Sequence, residues 1–387
     1  MFFILYFFHF LSFFQATKEA HFEAQIIDAD IAIGYGIALG DVNGDKKPDI
    51  LLADKKQFVW YRNGDWKKFV MIENLTEQDN VCIAAKDVNG DGKVEVAVGA
   101  QWNPSETKDK NKSGSVHFLL PPKDPTQMWS SLELSHEPTI HRMRWFQLSN
   151  KASYLGVLPL HGIENKEGQG KTVNMMFFKY PDLLQKKEPA FVWDTKMHLT
   201  HNFQIVSSKN YAINGIYIAG KEGITHLKES LVQYNEPSIL QLPRFQGPGE
   251  IGFGKLPGGS GYITTIEPMH GNNLVVYTGN HFDREVVDSN LKEGHALQSA
   301  DVLGLGYDQI IAGWRAPNRD GKIGLKLYTR SQTSKNQWDS QWIDENGIAC
   351  EDLQVMDLNG DNKLDIIASG RSTHNLKIYW NLTARKN

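Results

Sequence analysis

A chain of 387 residues, 41% hydrophobic and 22% charged, has the composition of an ordinary folded protein with enough apolar material for a packed core. Its formal net charge of −4 leaves no basic footprint, which argues against a nucleic-acid binder, and its two cysteines exclude a disulfide framework. An aromatic share of 11% suits strands better than helices.

The chain opens on an apolar, phenylalanine-rich run from Met1 to Phe14, followed by Gln15-Ala-Thr-Lys18. That run is too short to span a bilayer and reads as the core of a signal peptide over residues 1–16, which predicts a secreted or periplasmic protein. No later stretch is apolar enough for a membrane helix, and residues 20–383 are predicted to form one domain. Its first element, 21–27, alternates as a strand. Next comes Asp41-Val-Asn-Gly-Asp-Lys-Lys-Pro-Asp49, which recurs as Asp87-Val-Asn-Gly-Asp-Gly-Lys-Val-Glu95 and as Asp357-Leu-Asn-Gly-Asp-Asn-Lys-Leu-Asp365. A degenerate copy runs from Asp301 to Asp308, and each copy is followed by an apolar strand ending on a small residue. Three more copies, centred on Gln147, Ser207 and Leu256, lack the acidic loop. Self-similarity at a period of roughly 45 to 60 residues means a propeller, solenoid or array. Seven copies make a full propeller.

Short aromatic or alternating segments at 66–72, 129–134, 282–287 and 338–343 read as outer strands. The segment 21–27 has the same pattern but precedes the first anchor, and the chain ends after 376–380, an inner or third strand. The predicted fold is therefore an all-β, seven-bladed β-propeller whose N-terminal strand completes the last blade, leaving no free edge.

In such a fold the innermost strand of each blade lines a central channel and the next strand runs back beside it. Six residues before each anchor stand Tyr35, Val81, His141, His201, Glu250, His295 and Glu351. Fourteen residues after each anchor stand Lys55, Gln101, His161, Lys221, His270, Arg315 and Arg371. The interval between the two sets is 20 residues in every copy, so both are expected at one channel mouth. His141, His201 and His295, with Glu250 or Glu351, form a ligand set suited to zinc or a similar first-row metal. A metal-free acid/base and anion-binding site built from the same residues is the alternative. His161 or His270 would serve as base or acid, and Arg315 and Arg371 would hold an enolate or a sugar carboxylate. Trp314 would offer a sugar-stacking surface. Tyr35 and His374 are counted with the catalytic group, and Lys221 with substrate binding.

The acidic loops offer oxygen ligands suited to calcium at Asp41, Asn43, Asp45 and Asp49, at Asp87, Asn89, Asp91 and Glu95, and at Asp357, Asn359, Asp361 and Asp365. They lack the bidentate glutamate of an EF-hand. Equally, Asn-Gly-Asp makes a tight hairpin whose side chains bond its own backbone. Cys82 and Cys350 flank the first ring from different blades and read as buried thiols. Asn74, Asn111 and Asn381 fit the glycosylation pattern.

The Asp-Val-Asn-Gly-Asp repeats resemble the FG-GAP/VCBS repeats of bacterial secreted propellers and integrin α-subunits. Further segments resemble the propeller domain of aldos-2-ulose dehydratase and its bacterial relatives: Thr139-Ile-His-Arg-Met-Arg144, Thr200-His-Asn202, Ile266-Glu-Pro-Met-His-Gly-Asn272, Gly294-His295, Ala312-Gly-Trp-Arg315, Cys350-Glu-Asp352 and Thr373-His-Asn375. The resemblance covers nearly the whole chain after the leader and implies a zinc ion in an active-site cleft and dehydration of a keto-sugar. The fungal enzyme's cupin and lectin domains have no counterpart in this sequence. The expected function is a secreted carbohydrate-active lyase or dehydratase performing metal-assisted β-elimination. A close variant is a polysaccharide lyase acting on uronic acids; from another class comes a non-catalytic propeller for ligand binding or adhesion.

Overall fold

Strand residues that alternate in side but are apolar on both sides need cover on both faces, and radial stacking of sheets provides it. The blade-1 strand Asp49–Ala53 is buried at every position. Leu51 and Ala53 join a cluster with Val96 and Val98 of blade 2, whereas Ile50 and Leu52 join Ile367 and Ile378 of blade 7. The same period-two division recurs around the molecule.

The computed structural model describes residues 19–148, 151–166, 168–206, 215–228, 245–331 and 337–384. The signal peptide expected at 1–16 and the anchor at Ser207 lie outside the described residues. Seven antiparallel sheets form the blades, six of four strands and one of three among the described residues. The innermost strands are Gly36–Gly40, Cys82–Lys86, Ile140–Gln147, Thr200–Val206, Glu250–Lys255, Gly294–Ala300 and Cys350–Met356. Each contacts the innermost strands of its neighbours, and the seventh contacts the first. Helix is confined, among the described residues, to the single 3-10 turn Asp182–Leu184, and none is long and apolar enough to cross a membrane.

The last blade is closed as the repeat order requires. Phe22–Asp28 pairs antiparallel with Asn375–Asn381, from Phe22 opposite Asn381 to Asp28 opposite Leu376. The 376–380 segment is thus a third strand and 21–27 an outer one.

In the acidic turns the side chains bond their own backbone. The Asp41 carboxylate accepts the N–H groups of Gly44 and Lys46, and Asn43 and Asp45 accept those of Asp45 and Lys47. Gly44, Gly90 and Gly360 occupy φ of 87°, 82° and 78°, where a side chain is strained. Asp87, Asn89 and Asp91, and again Asp357, Asn359 and Asp361, repeat these bonds. The ninth residue faces inward. Buried Asp49 accepts from Val42 and Asn63, buried Asp365 from Leu358 and Asn381, and Glu95 from Val88. Asn63 and Asn381 then donate to Leu358 and Val302, tying each blade to the preceding one. Asn381 is buried in this role, whereas Asn74 and Asn111 are exposed. Cys82 and Cys350 are free and buried.

Replacing Asp365 by Ala should cost about 1–3 kcal/mol for each buried N–H left without an acceptor. Exposed Asp361→Ala should cost clearly less, and urea denaturation of the two variants checks the difference.

Candidate functional site

The first-ring residues reach the channel mouth by a device that repeats. In blades 3, 4, 6 and 7 the ladder pairs the first strand residue, skips the second and resumes at the third. The skipped residues are His141, His201, His295 and Glu351. A β-bulge leaves its extra residue unpaired and re-aims its side chain. Glu250 instead sits in regular register opposite Ile266.

Three imidazoles from three successive blades converge. One ring nitrogen each from His201, His270 and His295 lies within 4.8 Å of the others. Their ring centroids are 4.6, 5.0 and 5.1 Å apart. His201 is flanked on Nδ1 by the Gly249 carbonyl at 3.1 Å and Glu250 Oε1 at 3.0 Å, and His295 Nδ1 donates to the Glu351 carbonyl at 2.6 Å. A proton held on Nδ1 leaves Nε2 with its lone pair, the arrangement that supporting residues impose on metal-ligating histidines. His201 Nε2 lies 2.7 Å from Nε2 of half-buried His270, which rises from the turn after strand Gly261–Glu267. Burial holds His201 and His295 well below the ordinary histidine range, and burial together with His201 pushes His270 down to about 3. All three are therefore neutral at neutral pH, the form in which histidine ligates a metal. The donor set fits a zinc-like ion.

The other expected ligands are placed differently. His141 lies 4.7 Å from the His201 ring, but the indole of Trp102 stacks on it at 5.0 Å and 22°, and it stands outside the converging trio. Both its ring nitrogens are buried without a partner. Glu250 turns its carboxylate to His201 and to the Asn202 amide, so it braces that imidazole and stands outside the converging trio. Glu351 is clamped by Arg315 at 3.1 Å and Arg371 at 2.9 Å. Those two arginines accordingly neutralise a buried carboxylate. Tyr35 donates to Asp79 at 3.1 Å, and Arg371 lies over its ring at 5.4 Å. His161 is half-buried, brackets Thr139 by two backbone bonds and leaves Nδ1 without a partner.

Two expectations fail. Trp314 is fully buried against Trp342, with its indole N–H given to the Lys322 carbonyl, so no face is open to a sugar. His374 is exposed, engages the carbonyls of Ile31 and Ala32 through Nδ1 and is not part of the converging trio. Lys221 is exposed and lines a cleft of about 440 Å³ with Leu199, Phe245, Gln246, Gly247, Pro268 and Met269. Its wall comes within two residues of both His201 and His270.

Residues that the ring alignment missed complete the site. Arg144 donates to the Phe203 carbonyl at 2.8 Å and to Asn202 Oδ1 at 3.2 Å. Asp352 accepts the Ile37 N–H at 2.8 Å, and burial pushes its carboxyl up to about 6. The signal was present: Ile140-His-Arg-Met-Arg144 sets two arginines in an otherwise apolar inner strand.

A pH dependence follows. The folded histidines titrate below their unfolded value of about 6.5, so stability is complete above that pH and is lost as pH falls through it. Protonation of Asp49 and Asp352, both pushed up to about 6, offsets part of the loss. In chelator-treated protein the melting temperature should fall from pH 7.5 to 5.5, and His141→Gln should flatten that slope.

Comparison with known proteins agrees with this architecture. The profile of the aldos-2-ulose dehydratase β-propeller domain matches residues 113–280, an FG-GAP-like repeat matches 19–98 and an FG-GAP repeat matches 83–119. The first stretch contains His141, His201, Glu250 and His270; His295 and Glu351 lie beyond it. A chain of the mitotic checkpoint complex is similar at 10% identity and a TM-score of 0.58, covering 100% of this chain and 98% of that one. BBS1N, solved in complex with ARL6DN, is similar at 13% identity and a TM-score of 0.58, covering 95% and 98%. Identities this low show the fold alone. A search of curated proteins finds no match.

Proposed function

We propose that this β-propeller, which resembles the propeller domain of aldos-2-ulose dehydratase, is a carbohydrate-active carbon–oxygen lyase that removes water from a keto-sugar by β-elimination. The observation that carries the reading is the convergence of His201, His270 and His295; Leu199, Pro268 and Met269, each within two residues of His201 or His270 in the chain, line a cleft of about 440 Å³. Two of the three lie within the stretch that matches the dehydratase propeller.

His201, His270 and His295 would hold a zinc or similar divalent ion, which when bound supplies Lewis-acid polarisation of the substrate carbonyl. The Gly249 carbonyl with Glu250, and the Glu351 carbonyl, orient the first and third imidazoles. Phe245 and Met269 exclude water from one wall of the cleft, and Lys221 offers a cation at its rim. Elimination needs a base for the C–H beside the carbonyl; that bond's electrons form the enolate, and the hydroxyl one carbon on departs as water with a proton from an acid. His141 and His161 both carry ring nitrogens without partners and are the proposed base and acid. The apolar run at 1–14 supports export to the periplasm or medium.

The FG-GAP matches support a second reading, a propeller that binds a carbohydrate or protein without turning it over. Purified protein should contain one zinc per chain and should raise enone absorbance from a panel of keto-sugars. His201→Ala should release the metal and abolish turnover. Saccharide binding with no product from any keto-sugar or uronic-acid polymer would leave the binding reading.

A further inference from the structure

Building on the elimination reading, we propose that the guanidinium of Arg142 is the site's oxyanion holder, binding the carboxylate or enolate oxygens of the substrate beside His141 and the histidine trio. Arg142 follows the bulge residue His141 on the innermost strand of blade 3 and is half-buried. It makes one long hydrogen bond, Nη1 to the His141 carbonyl at 3.4 Å. Among the described residues no carboxylate lies within ion-pair distance of it. The other arginines named above are spent: Arg315 and Arg371 on Glu351, and Arg144 on Phe203 and Asn202. A guanidinium presents five donors in a planar fork that matches a two-oxygen anion, and leaving them unused in a half-buried channel is costly.

Its location is central: it adjoins bulged His141, whose ring lies 4.7 Å from that of His201, and its positive charge bears on His141, His201, Glu250 and Asp352 and also on His270 and His295. Glu250 and Asp352 thereby balance its charge through space without occupying its donors. A second, independent observation points to a ligand at the same place. His141 is only 6% exposed, yet neither ring nitrogen has a partner. Native interiors rarely leave such groups unmet. An oxyanion on Arg142 with a hydroxyl toward His141 gives both groups a partner, and it selects acidic or readily enolised sugars over neutral, reduced ones.

The test uses the full chain, with and without zinc, titrated calorimetrically with sodium glucuronate and with glucose as the neutral control. Arg142→Met should weaken glucuronate binding about 10-fold or more, the scale of one charge-assisted pair. Zinc content and glucose binding should not change, and Arg142→Lys should restore part of the affinity. If the anion arises only as the enolate, glucuronate binding will be indifferent to the variant. Keto-sugar turnover should then fall roughly 10²–10³-fold at unchanged KM, as for loss of one oxyanion donor. Arg142→Gln serves should the methionine variant not fold. A folded variant that keeps both glucuronate affinity and turnover overturns the assignment. A wild-type protein that holds no zinc and eliminates nothing, yet binds glucuronate through Arg142, removes the lyase reading and leaves the anion site standing.

Discussion

Closure of the ring is the constraint from which the site follows. Seven twisted sheets place their inner strands around one axis only when the last blade meets the first. Here that junction is the antiparallel pairing of Phe22–Asp28 with Asn375–Asn381. Residues from opposite ends of the chain thus share a sheet, and the outer side of Asn375–Asn381 is paired instead of left open. The inward-facing Asp49 and Asp365 hold Asn63 and Asn381, which bind blade 1 to blade 7 and blade 7 to blade 6. Only with that circle rigid do His201, His270 and His295, contributed by blades 4, 5 and 6, meet within a few ångströms.

At the channel mouth the fold gives up regularity. Four of the seven inner strands skip a residue in their ladder, and each skipped residue is a histidine or glutamate of the first ring. The bulge leaves backbone groups at that point outside the ladder, and neighbouring imidazoles use some of them: the carbonyl of bulged Glu351 accepts from His295. Orientation of the His295 imidazole therefore comes from main chain, which is stiffer than a side-chain support. Burial completes the arrangement by keeping the rings neutral.

The charged residues divide into two groups with different work. Arg315, Arg371 and Glu351 satisfy one another, as a buried carboxylate requires, since an uncompensated charge there would be strongly destabilising. Beneath the histidines, Arg144 and Asn202 likewise satisfy each other. Arg142 stands apart from both sets. A guanidinium held by a single long hydrogen bond beside unpartnered His141 departs from full satisfaction, and such departures are expected where a site is built for a ligand.

Blade number, blade order and the closing strand were legible in the chain because they rest on local repeats: Asp-x-Asn-Gly-Asp turns and strands of period two need no knowledge of distant residues. The invariant 20-residue hairpin also placed His201, Glu250, His270, His295 and Glu351 at one mouth. What no local pattern carried was the partner of each group. His270 stands fourteen residues past its anchor, yet a turn brings it into the trio, whereas His141, in equivalent register to His201, is held outside it by Trp102. Trp314 appeared available for a sugar but lies inside the sheet stack. Arg142 was given no role because regular alternation sets it opposite His141, and the bulge that interrupts the alternation there is not written in a local pattern. The sequence by itself determined the wheel, through short-range turn and strand preferences. Only the tertiary structure decided which spokes touch at the hub, because those contacts join residues tens of positions apart across bulges that sequence periodicity does not encode.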